Sequence, residues 1–397
     1  MATEFQRCKT EWTPPCEKPR CDHGWTTRYR EPGGRSGKQR EKSFRTKREA
    51  VAFGTKMEAD KDAGTYLDPS RGKILVRDLV PNWLDDRVLL EDTKHNYKTF
   101  FEMWIEPVIG RRMIGTIRRT DAQKLINAMI EGGLSAKTIN DRMALVGSFF
   151  RWCINDQRMS EHPCIDLRLP RMAGQAVNDD DIPDLDQIHA LEEHMPEITK
   201  LGIWLMSGLG LRSAEAWGFS EDCVREDTVR IYQQASRKAN NPDFMHPLVP
   251  LKHRAAGEYR DIPFGTVIGD KIAAHIDRHG VWERSGTGLL IPHHRADGRT
   301  VLYTSSTIAH WWAKASKAAG LVDHEGKPLF HPHGLRHFFA STALTNLVPI
   351  HEVSRWLGHK SIKTTVDVYG HLVPASGSRF RIAMDNALSQ PQLQLAA

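Results

Sequence analysis

The chain has 397 residues, 40% of them hydrophobic and 26% charged, which is typical of a soluble protein with two or three domains. No apolar run approaches the roughly 18 residues of a membrane span. The N-terminus is too polar for a signal peptide, so we expect a cytoplasmic protein. The net charge is +6, and residues 17–49 alone carry eleven Lys or Arg against five Asp or Glu, the same surplus. This segment is a candidate phosphate-contacting surface.

The basic segment predicts a small sheet followed by a helix. Bulky and basic residues alternate along residues 25–30, a Pro-Gly-Gly turn signal follows, and residues 42–44 would return as a second strand. Thr46 and Glu49 form a capping box that predicts a helix start. A solvated basic face is the alternative to a phosphate-binding surface. The candidate phosphate-binding side chains are Arg28, Arg30, Arg35, Lys38, Arg40 and Lys42.

Three of the six cysteines lie near the N-terminus. Cys8, Cys16 and Cys21, with His23, offer the ligand types of a four-ligand zinc site. Their spacing is irregular and contains no CxxC pair, so we favour reduced thiols without a metal and leave zinc as the alternative. A disulfide framework is not expected, because there is no export signal.

Residues 74–165 are predicted to be almost entirely helical, after a linker at residues 66–73. Apolar residues recur at helical spacing in four segments, at about residues 76–87, 91–105, 120–131 and 135–155. Thr120 and Gln123 form a second capping box, and Gly132-Gly133 predicts a helix end. The last helix has an apolar stripe that we assign to the core: Ala144, Leu145, Phe149, Trp152 and Cys153. Basic side chains that would reach phosphates, or lie on solvated faces, are Lys94, Lys98, Lys137 and Arg142.

A second linker is predicted at residues 170–183, which contain three consecutive aspartates and no apolar periodicity. Asp184 with Gln187 then predicts a helix start, and residues 201–206 begin a buried helix. The Gly-rich segment that follows contains Arg212 and Glu215. Short strands are predicted at residues 228–233, 248–252 and 260–263.

The segment from His333 to Tyr369 contains the strongest chemical pattern. His333 and Arg336 are three residues apart, so they share one face of a helix. Arg binds phosphate with a planar fork of donors, and His transfers protons near neutral pH. Tyr is a possible covalent nucleophile, but its ordinary pKa of about 10 requires help from neighbouring cations or a base. No carboxylate cluster suited to a metal is present, so the cations would be Arg, Lys and His.

The joint pattern HGLRH, then LGH ending at His359, then Tyr369 ten residues later, resembles the C-terminal signature of the tyrosine recombinase, or phage integrase, family. The type with an N-terminal arm-binding domain, found in actinobacterial phages and integrative elements, is the most similar. The family also has an upstream Arg in a G-L-R-x-x-E setting, which matches Arg212, with Glu215 at the acidic position. Its catalytic Lys precedes an R-x-I-P element, which favours Lys252, with Lys238 as the second candidate.

The resemblance implies a multidomain fold. Residues 1–66 would form a small basic α+β arm-binding domain, and residues 74–165 an all-α, SAM-like core-binding domain. Residues 182–390 would form a mixed, mainly α catalytic domain with a small antiparallel sheet. A terminal helix at residues 379–388 would pack on a neighbouring subunit.

The resemblance also implies a mechanism without metal or nucleotide cofactors. Arg212 and Arg336 would clamp the scissile phosphate, and Tyr369 would attack the phosphorus and form a 3′-phosphotyrosyl link. Lys252 would protonate the departing 5′ oxygen, His333 would manage the phenol proton, and His359 would donate to a phosphate oxygen. The implied partners are double-stranded DNA with core and arm sites, three further subunits, a directionality factor and a DNA-bending host protein, in the bacterial nucleoid.

Three alternatives remain open at this stage. The chain would be a Xer-like resolvase of the same family, a DNA-binding regulator on a recombinase scaffold that does not cleave, or a type IB topoisomerase. The basic N-terminal domain argues against a resolvase, and the intact set of six catalytic residue types argues against a decayed regulator. The remaining histidines of the C-terminal segment are interpreted as surface or packing residues: His331, His337, His351 and His371.

Overall fold

The computed structural model describes residues 2–18, 21–64, 66–68, 70–89, 91–172, 174, 176–235, 248–252, 254–255, 257–284, 286–294, 300–373 and 377–388. The chain divides into two units, Met1–Ala173 and Gly174–Ala397. The boundary lies inside the predicted linker at residues 170–183. None of the helices in the described ranges is long and apolar enough to cross a membrane.

The first unit begins with an antiparallel sheet in the order β1-β2-β3. Its elements are β1 (Thr3–Phe5), the short α1 (Arg7–Thr10), β2 (Trp25–Arg30), β3 (Gln39–Phe44) and α2 (Lys47–Asp62). The predicted capping box is confirmed, because the Thr46 hydroxyl accepts from the Glu49 N–H while the Glu49 carboxylate accepts from the Thr46 N–H. Helix α2 packs on the sheet, where the buried Thr27 hydroxyl donates to the carbonyl of Ala50 at 2.7 Å.

The rest of the first unit is helical, as predicted. It contains α3 (Val76–Asp85), α4 (Glu91–Phe100) with a π-helical continuation (Phe101–Gly110), α5 (Arg119–Glu131) and α6 (Ala136–Asn155). The aromatic rings of Trp83, Phe101 and Phe149 meet edge-on or tilted in its core.

Two details of this helical region differ from expectation. Helix α5 begins at Arg119 rather than after a Thr120 cap, because the Asp121 carboxylate accepts from the Arg118 N–H at 3.0 Å. Ala144 is exposed, although Leu145, Phe149 and Cys153 of the same predicted stripe are buried.

The second unit is mainly helical, with small antiparallel strand pairs. Its helices are α7 (Leu185–His194), α8 (Lys200–Leu209), α9 (Ser213–Trp217), α10 (Thr266–His279), α11 (Ser305–Ala318), α12 (Pro332–Thr345), α13 (Ile350–Leu357), α14 (Ile362–Tyr369) and α15 (Gly377–Leu388). Its strands are β4 (Thr228–Ile231), β5 (Gln233–Ala235), β6 (Leu248–Pro250), β7 (Arg260–Pro263), β8 (Trp282–Arg284), β9 (Thr287–Leu289), β10 (Pro292–His294) and β11 (Thr300–Leu302). The pairs are β4 with β7, β5 with β6, β8 with β9 and β10 with β11.

Helix α8 lies at the centre of the second unit and packs against α9, α10 and α12. All its residues except Lys200 and Gly208 are buried, which explains why its sequence is apolar almost all round. Gly210 ends α8 and Gly358 ends α13, each in the left-handed conformation with φ of 62° and 67°. Both glycines therefore turn the chain sharply just before Arg212 and His359.

We predict that Gly358→Ala destabilises the chain by about 1–3 kcal/mol, because an L side chain is strained at this positive φ. The new Cβ would also lie 3.1–3.2 Å from side-chain atoms of Arg260. Urea unfolding measures the loss. Gly320→Ala is the matched control, since its φ is 72° with open space around the Cβ. Equal losses in the two variants would contradict a cost from the contact with Arg260.

Candidate active site

The second unit brings five of the six predicted catalytic side chains into one cluster. Arg212 comes from the turn between α8 and α9, His333 and Arg336 from α12, His359 from the end of α13, and Tyr369 from α14. The Pro at the first position of α12 and the Ser361 cap of α14 start these helices at the positions that the cluster requires. Glu215 of α9 is part of the cluster, as predicted for a supporting residue.

Arg336 is 1% exposed and is held by main-chain carbonyls. Its Nη1 donates to the carbonyl of Gly210 at 2.5 Å and its Nη2 to that of Leu357 at 2.6 Å. These carbonyls belong to the ends of α8 and α13. The buried Nε–H has no hydrogen-bond partner among the described residues, so the guanidinium retains a donor for another group.

Glu215 is a buried carboxylate shared by two arginines. It accepts from the main-chain N–H of Arg212 at 2.8 Å and from its Nη1 at 3.0 Å. Arg260 of β7 binds both carboxylate oxygens, at 3.1 Å and 2.6 Å. Burial alone would raise the pKa of Glu215, but the charges of Arg260 and then Arg212 outweigh it and lower that pKa to about 2.

The cluster therefore carries a surplus of positive charge. Arg212, Arg260 and Arg336 face one carboxylate, and Arg212 also donates to the carbonyl of Gly358 at 3.1 Å. Burial and the charges of nearby arginines lower the pKa of Arg336 to about 9, which leaves it charged at pH 7. With neutral histidines the net charge is +2, an arrangement that attracts an anion.

The histidines of the cluster are neutral at pH 7. Nη2 of Arg336 donates to Nε2 of His359 at 3.2 Å, so the ring carries its proton on Nδ1, which donates to the Thr365 hydroxyl at 2.8 Å. Burial and the charges of Arg336 and Arg212 lower the pKa of His359 to about 3. His333 reaches the surface, and partial desolvation with the charge of Arg336 shifts its pKa in the same direction.

Tyr369 is 1% exposed, and its hydroxyl lies 2.7 Å from Nδ1 of His337. The phenol donates when the imidazole carries its proton on Nε2. Burial raises the pKa of Tyr369 to about 12, against the opposing effect of Arg336. Burial and the same charge lower the pKa of His337 to about 4, so its ring is an available proton acceptor at pH 7.

Two residues of the site were not assigned by the sequence. His337, interpreted from the sequence as a surface or packing residue, is half-buried, and its Nδ1 lies 2.7 Å from the Tyr369 hydroxyl. Its position four residues after His333 places it on the same helix face. Arg260 was noted only as part of a motif. Its alternation with Ile262 on β7 is the signal for an inward-facing side chain, and both are buried. His331, His351 and His371 are exposed.

Lys252 is not part of the cluster. It lies between β6 and β7 with an exposed side chain, and among the described residues no hydrogen bond joins it to the catalytic side chains. The second candidate, Lys238, lies outside the described residues.

The predicted phosphate-binding side chains of the first unit differ in the contacts that they already make within the chain. Arg28 pairs with Glu41 and Glu11, and Arg40 with Glu31 and Asp68. Lys94, Lys98 and Lys137 pair with Asp85, Glu102 and Asp141 at the surface. Arg30 donates to main-chain carbonyls, and Lys42 and Arg142 lie over aromatic rings. Arg35 and Lys38 are exposed, on the turn between β2 and β3.

We predict that lowering the pH from about 7 to 5 shifts the urea unfolding midpoint to lower urea. His337 and His359 have folded pKa values of about 4 and 3, whereas unfolded histidines titrate near 6.5. Between these pKa values the unfolded chain binds the protons and the folded chain does not. The contribution of the two neutral histidines to the free energy of unfolding is therefore fully present above pH 6.5 and is lost progressively below it. The double variant His337→Gln, His359→Gln should show a shallower pH dependence, and an unchanged slope would contradict the assignment.

Curated proteins similar to this chain are tyrosine recombinases. Residues 180–375 match the model of the phage integrase family. The chain is 21% identical over 344 residues to a XerC-like tyrosine recombinase of Caldanaerobacter subterraneus subsp. tengcongensis, covering 81% of this chain and 87% of that protein. It is 22% identical over 304 residues to the tyrosine recombinase XerD of Pseudomonas aeruginosa, covering 74% and 90% of the two chains.

Solved integrases share the fold. The Tn1549 transposon integrase in complex with a circular intermediate DNA has a TM-score of 0.64 at 17% identity, covering 79% of this chain and 99% of that one. A lambda integrase dimer bound to a COC′ core site has a TM-score of 0.57 at 14% identity, covering 94% and 95%. The matching signature, the clustered side chains and the family match together show that residues 180–375 of this chain form a domain of the phage integrase family of tyrosine recombinases.

Proposed function

We propose that this chain is a site-specific DNA recombinase, an integrase that cleaves and rejoins DNA through a 3′-phosphotyrosine intermediate to integrate or excise a mobile element. The observation that carries the proposal is the buried, positively charged cluster around Arg336 with a tyrosine hydroxyl held at its side. Such a cluster fits a phosphodiester, whose transition state gains negative charge.

The arginines bind the scissile phosphate. Arg336 has its unpaired Nε–H for a phosphate oxygen, and Arg212, half-buried beside it, supplies further donors. Arg260 keeps Glu215 in place and so orients Arg212 from behind. A bound phosphate offsets the mutual repulsion of these guanidinium groups, and the repulsion is greatest when no anion is present.

Tyr369 is the nucleophile and His337 receives its proton. The phenol oxygen forms a bond to phosphorus while its proton passes across the 2.7 Å hydrogen bond to Nδ1 of His337. The bond from phosphorus to the 5′ oxygen breaks, and Lys252, which lies outside the cluster in this structure, would move to the phosphate and supply the proton that this oxygen takes up. His333, exposed at the cluster, donates to a phosphate oxygen. His359 donates to another when its ring proton moves to Nε2 and its Nδ1 accepts from the Thr365 hydroxyl instead. A 5′ hydroxyl of a partner duplex reverses the same steps and rejoins the strands.

The partner is double-stranded DNA, bound by several copies of the chain. The Tn1549 integrase is described in complex with a circular intermediate DNA, and a lambda integrase tetramer is described bound to a Holliday junction. Helix α15 exposes Phe380, Ile382, Met384 and Leu388, an apolar surface suited to contact with a second subunit. Residues 1–66 would bind arm sites and residues 74–165 core sites, and a directionality factor and a DNA-bending protein complete the assembly.

A Xer-like resolvase is the second candidate, because the curated relatives are XerC and XerD proteins. The sheet β1-β2-β3 with its basic turn favours an integrase that uses arm sites. Recombination on DNA that contains the core site alone would favour a resolvase.

We predict that Tyr369→Phe abolishes covalent attachment to DNA. The wild type, incubated in EDTA with supercoiled plasmid carrying the DNA that flanks its gene and quenched with SDS, should yield protein-linked nicked circles. Tyr303→Phe is the control, since it removes another buried phenol hydroxyl. A covalent adduct formed by the Tyr369→Phe variant would show that another residue is the nucleophile. Binding without cleavage by the wild type would favour a regulator.

We predict that a substrate with sulfur in place of the bridging 5′ oxygen restores cleavage by Lys252→Ala, because a thiolate leaves without a proton. His337→Gln should be slower by about 10²–10⁴-fold on both substrates, since His337 accepts the proton of Tyr369 and does not protonate the leaving group. Single-turnover rates measure both effects, with His351→Gln as the control on an exposed histidine. If the sulfur-containing substrate restored cleavage by Lys238→Ala instead, Lys238 would be the general acid.

A further inference from the structure

The three N-terminal cysteines and His23 converge in space. The sulfur atoms of Cys8, Cys16 and Cys21 and a ring nitrogen of His23 all lie within 4.8 Å of one another. They are irregularly spaced in sequence, but residues 6–24 connect the paired strands β1 and β2, so the segment must turn back on itself. The return is fixed where the Cys16 N–H donates to the carbonyl of Cys8 at 2.8 Å.

The distances fit one tetrahedral metal ion. Zinc–sulfur bonds of about 2.3 Å place neighbouring ligands about 3.8 Å apart. The Sγ atoms of Cys8 and Cys21 are 3.5 Å apart, well beyond the roughly 2.05 Å of a disulfide bond. Three cysteines and one histidine form a frequent ligand set of structural zinc sites, in which the protein occupies every coordination position.

Side chains around the cluster hold the ligands in place. Gln6 donates through Nε2 to the carbonyl of His23 at 2.8 Å, and the ring of Trp12 meets the His23 ring edge-on with centroids 4.6 Å apart. Lys9 donates through Nζ to the carbonyls of Cys16 and Lys18. Such neighbouring contacts orient metal ligands in known sites.

Little else stabilises this connection. Among its described residues, 6–18 and 21–24, regular structure is limited to the four-residue α1, and Cys8 alone is buried. A segment of this size without a hydrophobic core ordinarily requires a metal or a disulfide to keep a fixed structure.

We propose that Cys8, Cys16, Cys21 and His23 bind one Zn²⁺ that fixes the connection between β1 and β2. The site is structural and does not depend on the proposed function. It replaces the metal-free interpretation of these thiols favoured from their spacing. Metal binding keeps β1 on the edge of the sheet and holds Arg7, beside Cys8, in its ion pairs with Glu11 and Glu41.

The full-length chain is purified with a reductant and without added metal. Its zinc content is then measured by inductively coupled plasma mass spectrometry. We expect about one zinc per chain in the wild type. Cys8→Ser and Cys16→Ser should retain less than about a tenth of it, whereas Cys164→Ser, outside the cluster, should retain all. His23→Cys should also retain it, because a fourth thiolate completes the same tetrahedron.

Cobalt provides a second measurement that requires no variant to fold. Zinc removed by a chelator and replaced with Co²⁺ should produce visible absorption of a tetrahedral ion and thiolate-to-cobalt charge-transfer bands. Absence of zinc from the wild type together with no such spectrum would overturn the proposal. So would undiminished zinc in folded Cys8→Ser and Cys16→Ser proteins, or an intact mass two hydrogens lower that maps to a Cys8–Cys21 disulfide.

Discussion

The carboxylate of Glu215 is the interaction on which the active site depends. Arg212 and Arg260 lie close together with Arg336 where water is largely excluded, and like charges in such a place repel each other strongly. Glu215 binds two of the three and leaves an excess of positive charge. A bound phosphate would neutralise that excess. The Glu215 carboxylate, which holds the arginines together when no substrate is bound, therefore also sets the affinity of the site for a phosphate.

Main-chain geometry supports this charge arrangement. The glycine turns after α8 and α13 expose carbonyls that would otherwise end their helices without partners, and guanidinium groups satisfy them. An arginine can serve as a helix cap for two helices at once, because its donors point in several directions. The helices and the cations are therefore positioned by the same hydrogen bonds, and Arg212 and His359 lie in short turns directly at the helix ends.

Local signals predicted much of the secondary structure and the residues of the family signature, but no element was predicted for residues 264–332, where α10, α11 and β8 to β11 lie. Capping boxes at Thr46 and Asp184 and the Ser361 cap act within one turn, so the sequence contains them directly. Strand β1 was missed because three residues show no periodicity and their pairing with β2 is non-local. His337 was missed for the same reason, since its partner Tyr369 is 32 residues away. The N-terminal thiols looked irregular because only the turn of the connection brings them together.

The two carbonyl contacts of Arg336 determine which catalytic residues can be substituted without loss of the fold. Losing Arg336 would uncouple the ends of α8 and α13 and leave buried acceptors unpaired, so drift at this position is opposed by folding itself. Lys252, exposed and outside the cluster, has no such role. Selection for a folded protein alone would therefore constrain Arg336 but not Lys252.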